Sequence, residues 1–247
     1  MHVAIFCITL GRPAMVGRLL AMFAAQTHED RSLLILDDGG QFRSQSGDRW
    51  QLVSIPRRFR TLGEKNNAAM ALTPPEADGL AKWDDDDLFS PWALASVAEA
   101  LTCGDWVQPR HVMDWVGDRW AVVESFGRTG DTGKACYHSS WAYSRRLIEA
   151  TGGYRPTYLD DDHEMQARLR SLGYVSVDIA GPPWYWYGRP RTDGLSRYSL
   201  DAVHGDEGAA AWARRSEGLP FIGDVPEWTG PRDWERDIPS EVLPRPF

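Results

Sequence analysis

Three acidic clusters, each placed where an apolar run of strand length gives out, constrain this chain more than any other feature. They are Leu36-Asp37-Asp38-Gly39, Lys82-Trp83-Asp84-Asp85-Asp86-Asp87 and Leu159-Asp160-Asp161-Asp162-His163-Glu164. Consecutive carboxylates repel one another, so a folded chain keeps four in a row only in solvent or around a cation. The middle run follows Gly79-Leu80-Ala81 and precedes Pro91, a placement that predicts the N-terminal turn of a helix. Carboxylates at the carboxyl ends of strands lie where open α/β sheets bind their ligands.

The rest of the chain fits such a sheet. Val3 to Ile8 is a continuous apolar run of strand length. Gly11-Arg12-Pro13 opens a helix in which Met15, Val16, Leu19, Leu20 and Phe23 share one face. Leu33 to Leu36 and Trp50 to Ile55 are further strands, with Gly39-Gly40 supplying a turn between them. A helix from about Glu64 to Leu72 precedes the strand that ends at Trp83. After Pro91, Leu94, Val97, Ala98 and Leu101 form another helical stripe. This alternation predicts a mostly parallel sheet with helices on both faces.

Beyond it, 112–116 and 119–123, joined by Gly117-Asp118, predict a hairpin. A helix over 145–150 closes at Gly152-Gly153, and one over 163–172 closes at Gly173 before a strand over 174–179. Gly127 to Lys134 superficially matches a phosphate-binding loop. Arg128 stands where its first glycine belongs and Ala135 replaces Ser/Thr, so the match is set aside in favour of a mobile loop.

Composition narrows the function classes. With 247 residues, 43% hydrophobic and 25% charged, the chain is long enough for a full core of ordinary globular character. A net charge of −8 argues against general nucleic-acid binding. Cys7, Cys103 and Cys136 form neither a disulfide framework nor a zinc pattern, and are expected to be reduced thiols of a cytoplasmic protein. The first residues lack the basic and apolar regions of a signal peptide, and no window is apolar enough to span a membrane.

Taken in order, the motifs resemble glycosyltransferase family 2, on the nucleotide-sugar-binding GT-A fold. The matching pieces are Thr9-Leu10-Gly11-Arg12-Pro13, Leu36-Asp37-Asp38-Gly39, Gly63-Glu64-Lys65-Asn66-Asn67-Ala68, Asp84 to Pro91, Gly152-Gly153-Tyr154 and Asp161 to Leu169. They span roughly residues 3 to 180. That range divides into a nucleotide-sugar-binding half, 1–109, and an acceptor-side half, 110–180. A Pro-, Trp- and Arg-rich extension follows over 181–247.

The resemblance implies a role for each site. Asp38 would reach the nucleobase, with the main chain of Thr9, Leu10, Gly11 and Arg12 lining the same pocket. A carboxylate only accepts hydrogen bonds, which suits a base N–H or a ribose hydroxyl. Asp84 and Asp86 form the Asp-x-Asp element: Asp86 would hold a divalent metal, Mn²⁺ or Mg²⁺, and Asp84 the ribose, with Asp85 beside it. Such a cation neutralises charge on a diphosphate as the glycosidic bond breaks. Asp87 would cap the helix after Pro91 or orient a metal-bound water.

Asp162 is the expected catalytic base for an acceptor hydroxyl, in a single displacement with inversion. Lys65 would reach the nucleotide or hold a carboxylate of the Asp-x-Asp turn. The chain departs from the family near 184–191, where no histidine completes the metal shell. Arg189 or Arg191 would then clamp the diphosphate. Twelve tryptophans suggest a stacking platform for sugar, although Trp115 and Trp120 have a packing role open to them, and Trp141 and Tyr143 fit either.

The expected activity is transfer from a UDP- or GDP-sugar to a hydroxyl acceptor. A binding module that kept the fold without turnover is the alternative, with nucleotidyl transfer behind it.

Overall fold

The computed structural model describes residues 1–10, 12–116, 119–124, 138–156, 161–174, 176–179 and 185–187. Gly11, the loop 127–136, the segment 157–160, Arg189, Arg191 and the rest of the expected C-terminal extension lie outside the described residues.

A central strand β1 (Val3–Thr9) organises the molecule. Its residues Val3 to Cys7 are all fully buried. A strand apolar at every position has no solvent face, so both sides of the sheet must be covered. Val3, Ile5 and Cys7 pack with Val16, Leu19, Leu20 and Phe23 of α1 (Pro13–Ala24) and Leu94 and Val97 of α3 (Ala93–Leu101). Ala4 and Phe6 point the other way. They meet Ala69 and Met70 of α2 (Leu62–Ala71), Leu147 of α4 (Arg145–Thr151), and Met165 and Leu169 of α5 (Asp161–Ser171). Each large side chain so buried contributes about 1.5–3 kcal/mol.

The remaining strands are β2 (Arg31–Asp37), β3 (Gln45–Gly47), β4 (Trp50–Ser54), β5 (Gly79–Lys82), β6 (Leu88–Phe89) and β7 (Trp106–Pro109). They continue as β8 (His111–Val116), β9 (Arg119–Glu124), β10 (Ala142–Ser144), β11 (Ser176–Ile179) and β12 (Tyr185–Tyr187). The main sheet runs β11-β7-β10-β5-β1-β2-β4-β3, parallel except for β10 and the edge strand β3. A smaller sheet, β6-β12-β8-β9, holds the predicted hairpin, with Val116 opposite Arg119.

From β1 the chain steps outward through β2 to β4, then returns to the opposite side of β1 as β5. Strand order reverses there, which opens a crevice at the carboxyl ends of β1 and β5. Thr9 ends one strand and the acidic run Asp84 to Asp87 follows the other.

One expectation is corrected. The acidic run is not the first turn of a helix: it turns the chain from β5 into β6, and α3 begins only at Ala93. The short strand Leu88–Phe89 intervenes because the apolar ring of Phe89 stacks on Trp83, with centroids 3.9 Å apart. Past residue 180, β12 pairs with both β6 and β8.

Candidate functional site

Four carboxylates in one turn are tolerated because neighbouring elements divide them among different partners. Asp85 is wholly buried; it accepts a 2.5 Å hydrogen bond from the Thr9 hydroxyl and pairs with the Arg12 guanidinium at 2.5 Å. Burial pushes its carboxyl up to about 7, with Arg12 opposing the rise. Asp86, slightly exposed, takes the other arm of Arg12 at 2.8 Å. Asp84 is the most exposed of the four and is ion-paired with Lys82. Burial would raise it, but Lys82, then His138 and Arg12, hold it below the usual carboxylate range.

Asp87 is buried and accepts hydrogen bonds from the hydroxyls of Ser139 and Tyr185, the latter at 2.9 Å. Burial, reinforced by Asp86 and Asp84, pushes it well above its ordinary value. It does not cap α3, whose first turn has no side-chain cap.

Carboxylate oxygens of Asp84, Asp86 and Asp87 lie within 4.8 Å of one another. An all-oxygen set of this size suits a hard divalent cation such as Mg²⁺ or Mn²⁺. Asp85 takes no part, because Thr9 and Arg12 hold its carboxylate in the interior.

A second polar group lies at the ends of β1 and β2. Asp37 is an internal turn brace, accepting from Ser54 Oγ at 2.7 Å and the Gln41 amide at 3.2 Å. Asp38 is buried and ion-paired with Lys65, whose Nζ lies 2.6 Å from Asp38 Oδ1 and 2.6 Å from the Thr9 carbonyl. Lys65 is therefore bound to Asp38 and the end of β1, not to the Asp-x-Asp turn. Burial lowers its ammonium pKa, and Asp38 opposes that shift. The Phe59 amide donates to Asp38 Oδ2 at 3.2 Å, and Arg58 Nη1 lies 3.4 Å from Oδ1. Beside this pair, Ile55, Arg57, Arg58, Phe59, Arg60 and Glu64 line a cavity of about 400 Å³.

Asp162 occupies the first turn of α5, half-buried, its Oδ1 accepting from the His163 amide at 2.8 Å. The Gly152-Gly153-Tyr154 turn ahead of it is braced by Asn67, whose side chain meets the amide and carbonyl of Tyr154 at 2.8 and 2.7 Å.

Several residues in these networks were not singled out from the sequence. Lys82 had a signal: in extended chain, positions two apart face the same side, so Lys82 and Asp84 meet. Ser139 and Tyr185 had none, being 52 and 98 residues from Asp87. Trp83, Trp106, Trp141 and Tyr143 are almost fully buried, so they are core side chains and not sugar platforms. Cys7 is a buried thiol pushed well above its ordinary value by that burial, and Cys103 is likewise unbridged.

No protein-family model matches the chain, and no curated protein matches its sequence. Solved structures do. The 1–349 fragment of S. aureus TarS in complex with UDP superposes with a TM-score of 0.59 at 12% identity, over 77% of this chain and 61% of that one. The same fragment with UDP-GlcNAc gives 0.55 at 12% identity, over 76% and 59%. The mannosyltransferase PcManGT of Pyrobaculum calidifontis, with GDP-Man and Mn²⁺, gives 0.56 at 15% identity, over 91% and 66%.

The chain has the fold of these glycosyltransferases. It spans about three fifths of the TarS fragment's length. Among the described residues, no helix is long and apolar enough to cross a membrane.

Proposed function

We propose that this protein is a glycosyltransferase that moves a sugar from a nucleotide-diphosphate donor to a hydroxyl acceptor. One observation carries the reading. The oxygens of Asp84, Asp86 and Asp87 converge in the crevice beside β1, on a fold shared with proteins solved with UDP, UDP-GlcNAc and GDP-Man.

In this reading the nucleoside lies over the ends of β1 and β2, and the diphosphate lies at the acidic turn. Asp86 and Asp84 would hold Mn²⁺ or Mg²⁺, with Asp87 completing the set. Bound there, the cation would neutralise charge developing on the diphosphate. Arg12 keeps Asp85 inside and Asp86 oriented, so it fixes the shape of the turn. Asp162 is the base: it takes the acceptor's proton as that oxygen attacks the anomeric carbon from the face opposite the leaving diphosphate. The result is inversion. Arg189 and Arg191 would add a direct clamp on the diphosphate.

The test is calorimetric titration with UDP and GDP, with Mn²⁺ and with EDTA, followed by assay of donor hydrolysis and transfer. Metal-dependent binding with turnover supports the reading; absence of binding under all conditions defeats it. One observation favours the non-catalytic module instead. Arg12 already pairs with Asp86, the residue that would hold the metal. Binding without metal, and without hydrolysis or transfer, would select that alternative.

A further inference from the structure

The acidic turn carries cations of its own, and the way they are held bears on how the donor binds. Arg12, the residue ahead of α1, spans two carboxylates: Nη2 lies 2.5 Å from Asp85 Oδ1 and Nη1 lies 2.8 Å from Asp86 Oδ2. The two arms are unequally placed. Asp85 is wholly buried and also takes the Thr9 hydroxyl, whereas the Asp86 side chain keeps 11% of its surface in solvent. At the first carboxylate of the run, Lys82 is ion-paired with Asp84 Oδ1, the lysine side chain 3% exposed and the aspartate 37%.

Two of the three carboxylates whose oxygens converge are therefore held by cations of the chain itself. The third, Asp87, receives the hydroxyls of Ser139 and Tyr185 instead. Asp84 and Asp86 cannot turn to a divalent ion and keep Lys82 and Arg12 at full strength as well. An ammonium or guanidinium released inside a crevice is costly unless another anion receives it. A diphosphate is such an anion. Arginine meets phosphate oxygens through its fixed fork of N–H groups, and lysine meets them as a point charge on a flexible stem.

The same rearrangement thus serves two ligands. Releasing the carboxylates gives oxygens to a divalent ion, and releasing the cations gives charge to a diphosphate. Two ligands that favour one rearrangement raise each other's affinity by a common factor.

We propose that Arg12 and Lys82 are exchangeable counter-ions of the acidic turn, paired with Asp86 and Asp84 and passing to the donor's diphosphate when those carboxylates turn to a divalent ion. This inference rests on the donor-site reading above. Arg12 makes the exchange with one arm, because Nη2 stays on the buried Asp85. Lys82 makes it by a swing of its side chain, and so becomes a donor-binding residue that the family resemblance did not assign. The pairing of Arg12 with Asp86 is then a stage of donor capture and no obstacle to it.

The experiment is calorimetric titration of the full chain with Mn²⁺ alone, with UDP and GDP in EDTA, and with each nucleotide in saturating Mn²⁺. The ratio of a nucleotide's affinities with and without Mn²⁺ is the coupling factor, expected to be at least about tenfold in the wild type for the nucleotide that binds. Lys82→Met keeps an apolar stem in the buried position and leaves Asp84 partly in water. Mn²⁺ alone should then bind about tenfold tighter, the nucleotide in Mn²⁺ about tenfold weaker, and the coupling factor should fall toward one. Arg12→Lys should act in the same sense, since one ammonium that stays on Asp85 does not span to Asp86; it carries the test if Lys82→Met fails to fold. A charge acting only through its field would shift both affinities and leave the coupling factor unchanged. An unchanged factor in the folded variants, Mn²⁺ binding no tighter in them, or a wild-type factor near one overturns this inference while leaving the donor site in place. Binding of neither nucleotide under any condition removes the donor-site reading and this inference with it.

Discussion

Two buried residues of opposite charge show how each holds the other in its role. Lys65 and Asp38 are each almost wholly buried and depend on each other. Removing one member of such a pair strands a charge, at a cost of about 3–5 kcal/mol. Lys65→Met should lower stability by an amount of that order in chemical denaturation, and adding Asp38→Asn should restore part of it. Strictly additive losses would mean that the pair is not coupled.

Asp85 makes a prediction in pH. Burial lifts it to about 7, against 3.8 in solvent, with Arg12 pulling the other way. The folded state therefore keeps a proton that the unfolded chain gives up at lower pH. Its contribution to stability is complete below about pH 4 and is lost as pH rises through about 7. Asp87, also raised by burial, acts with the same sign. In EDTA the urea midpoint should fall between pH 5 and pH 8, and Asp85→Asn should flatten that fall. An equal slope in the variant would assign the pH dependence elsewhere.

At the level of elements, Asn67 braces the Gly152-Gly153-Tyr154 turn, and Arg168 of α5 donates to the Thr151 and Gly153 carbonyls of the same turn. Both glycines have left-handed φ, +75° and +71°. A Cβ on Gly152 would meet nothing within 4 Å, whereas on Gly153 it would fall 2.4 Å from Asn67 Oδ1. Gly152→Ala should therefore cost only backbone strain, about 1–2 kcal/mol. Gly153→Ala should cost more and break the brace, and transfer should suffer with it because Asp162 follows in α5. Equal losses in the two would mean that the brace carries no weight.

This turn was legible in the sequence as a helix end, as were β1, β2, β4 and β5 as apolar runs. Strand β10 was not. Three residues are too few to show a period, and Ala142 pairs antiparallel with Ala81 and Val107 only once distant segments meet. The acidic turn was located by its charges, but its division of labour was not. Which carboxylate is buried depends on Thr9, Arg12, Ser139 and Tyr185, and of these only Thr9 and Arg12 belonged to a motif.

For the whole molecule, the acidic turn joins parts of the chain that are distant in sequence. Asp85 holds the end of β1 through Thr9, while Asp87 holds β12 and the segment around Ser139. A donor bound across β1, β2 and this turn would therefore stabilise the fold as a unit. A ligand at 100 times its dissociation constant adds about 2.7 kcal/mol, which for a chain of this size raises Tm by roughly 5–10 °C. UDP with Mn²⁺ should produce a shift of that order, and EDTA should abolish most of it. Asp86→Ala should lose the metal-dependent part while its Tm without ligand stays close to that of the wild type. Asp162→Asn should keep the full shift and lose transfer, since the base serves the acceptor and not the donor. If Asp162→Asn transfers normally, the base lies elsewhere on α5, with Asp161 and Glu164 next to be substituted. A full metal-dependent shift in Asp86→Ala would move the ligand role to Asp84 and Asp87, whose oxygens share the same crevice.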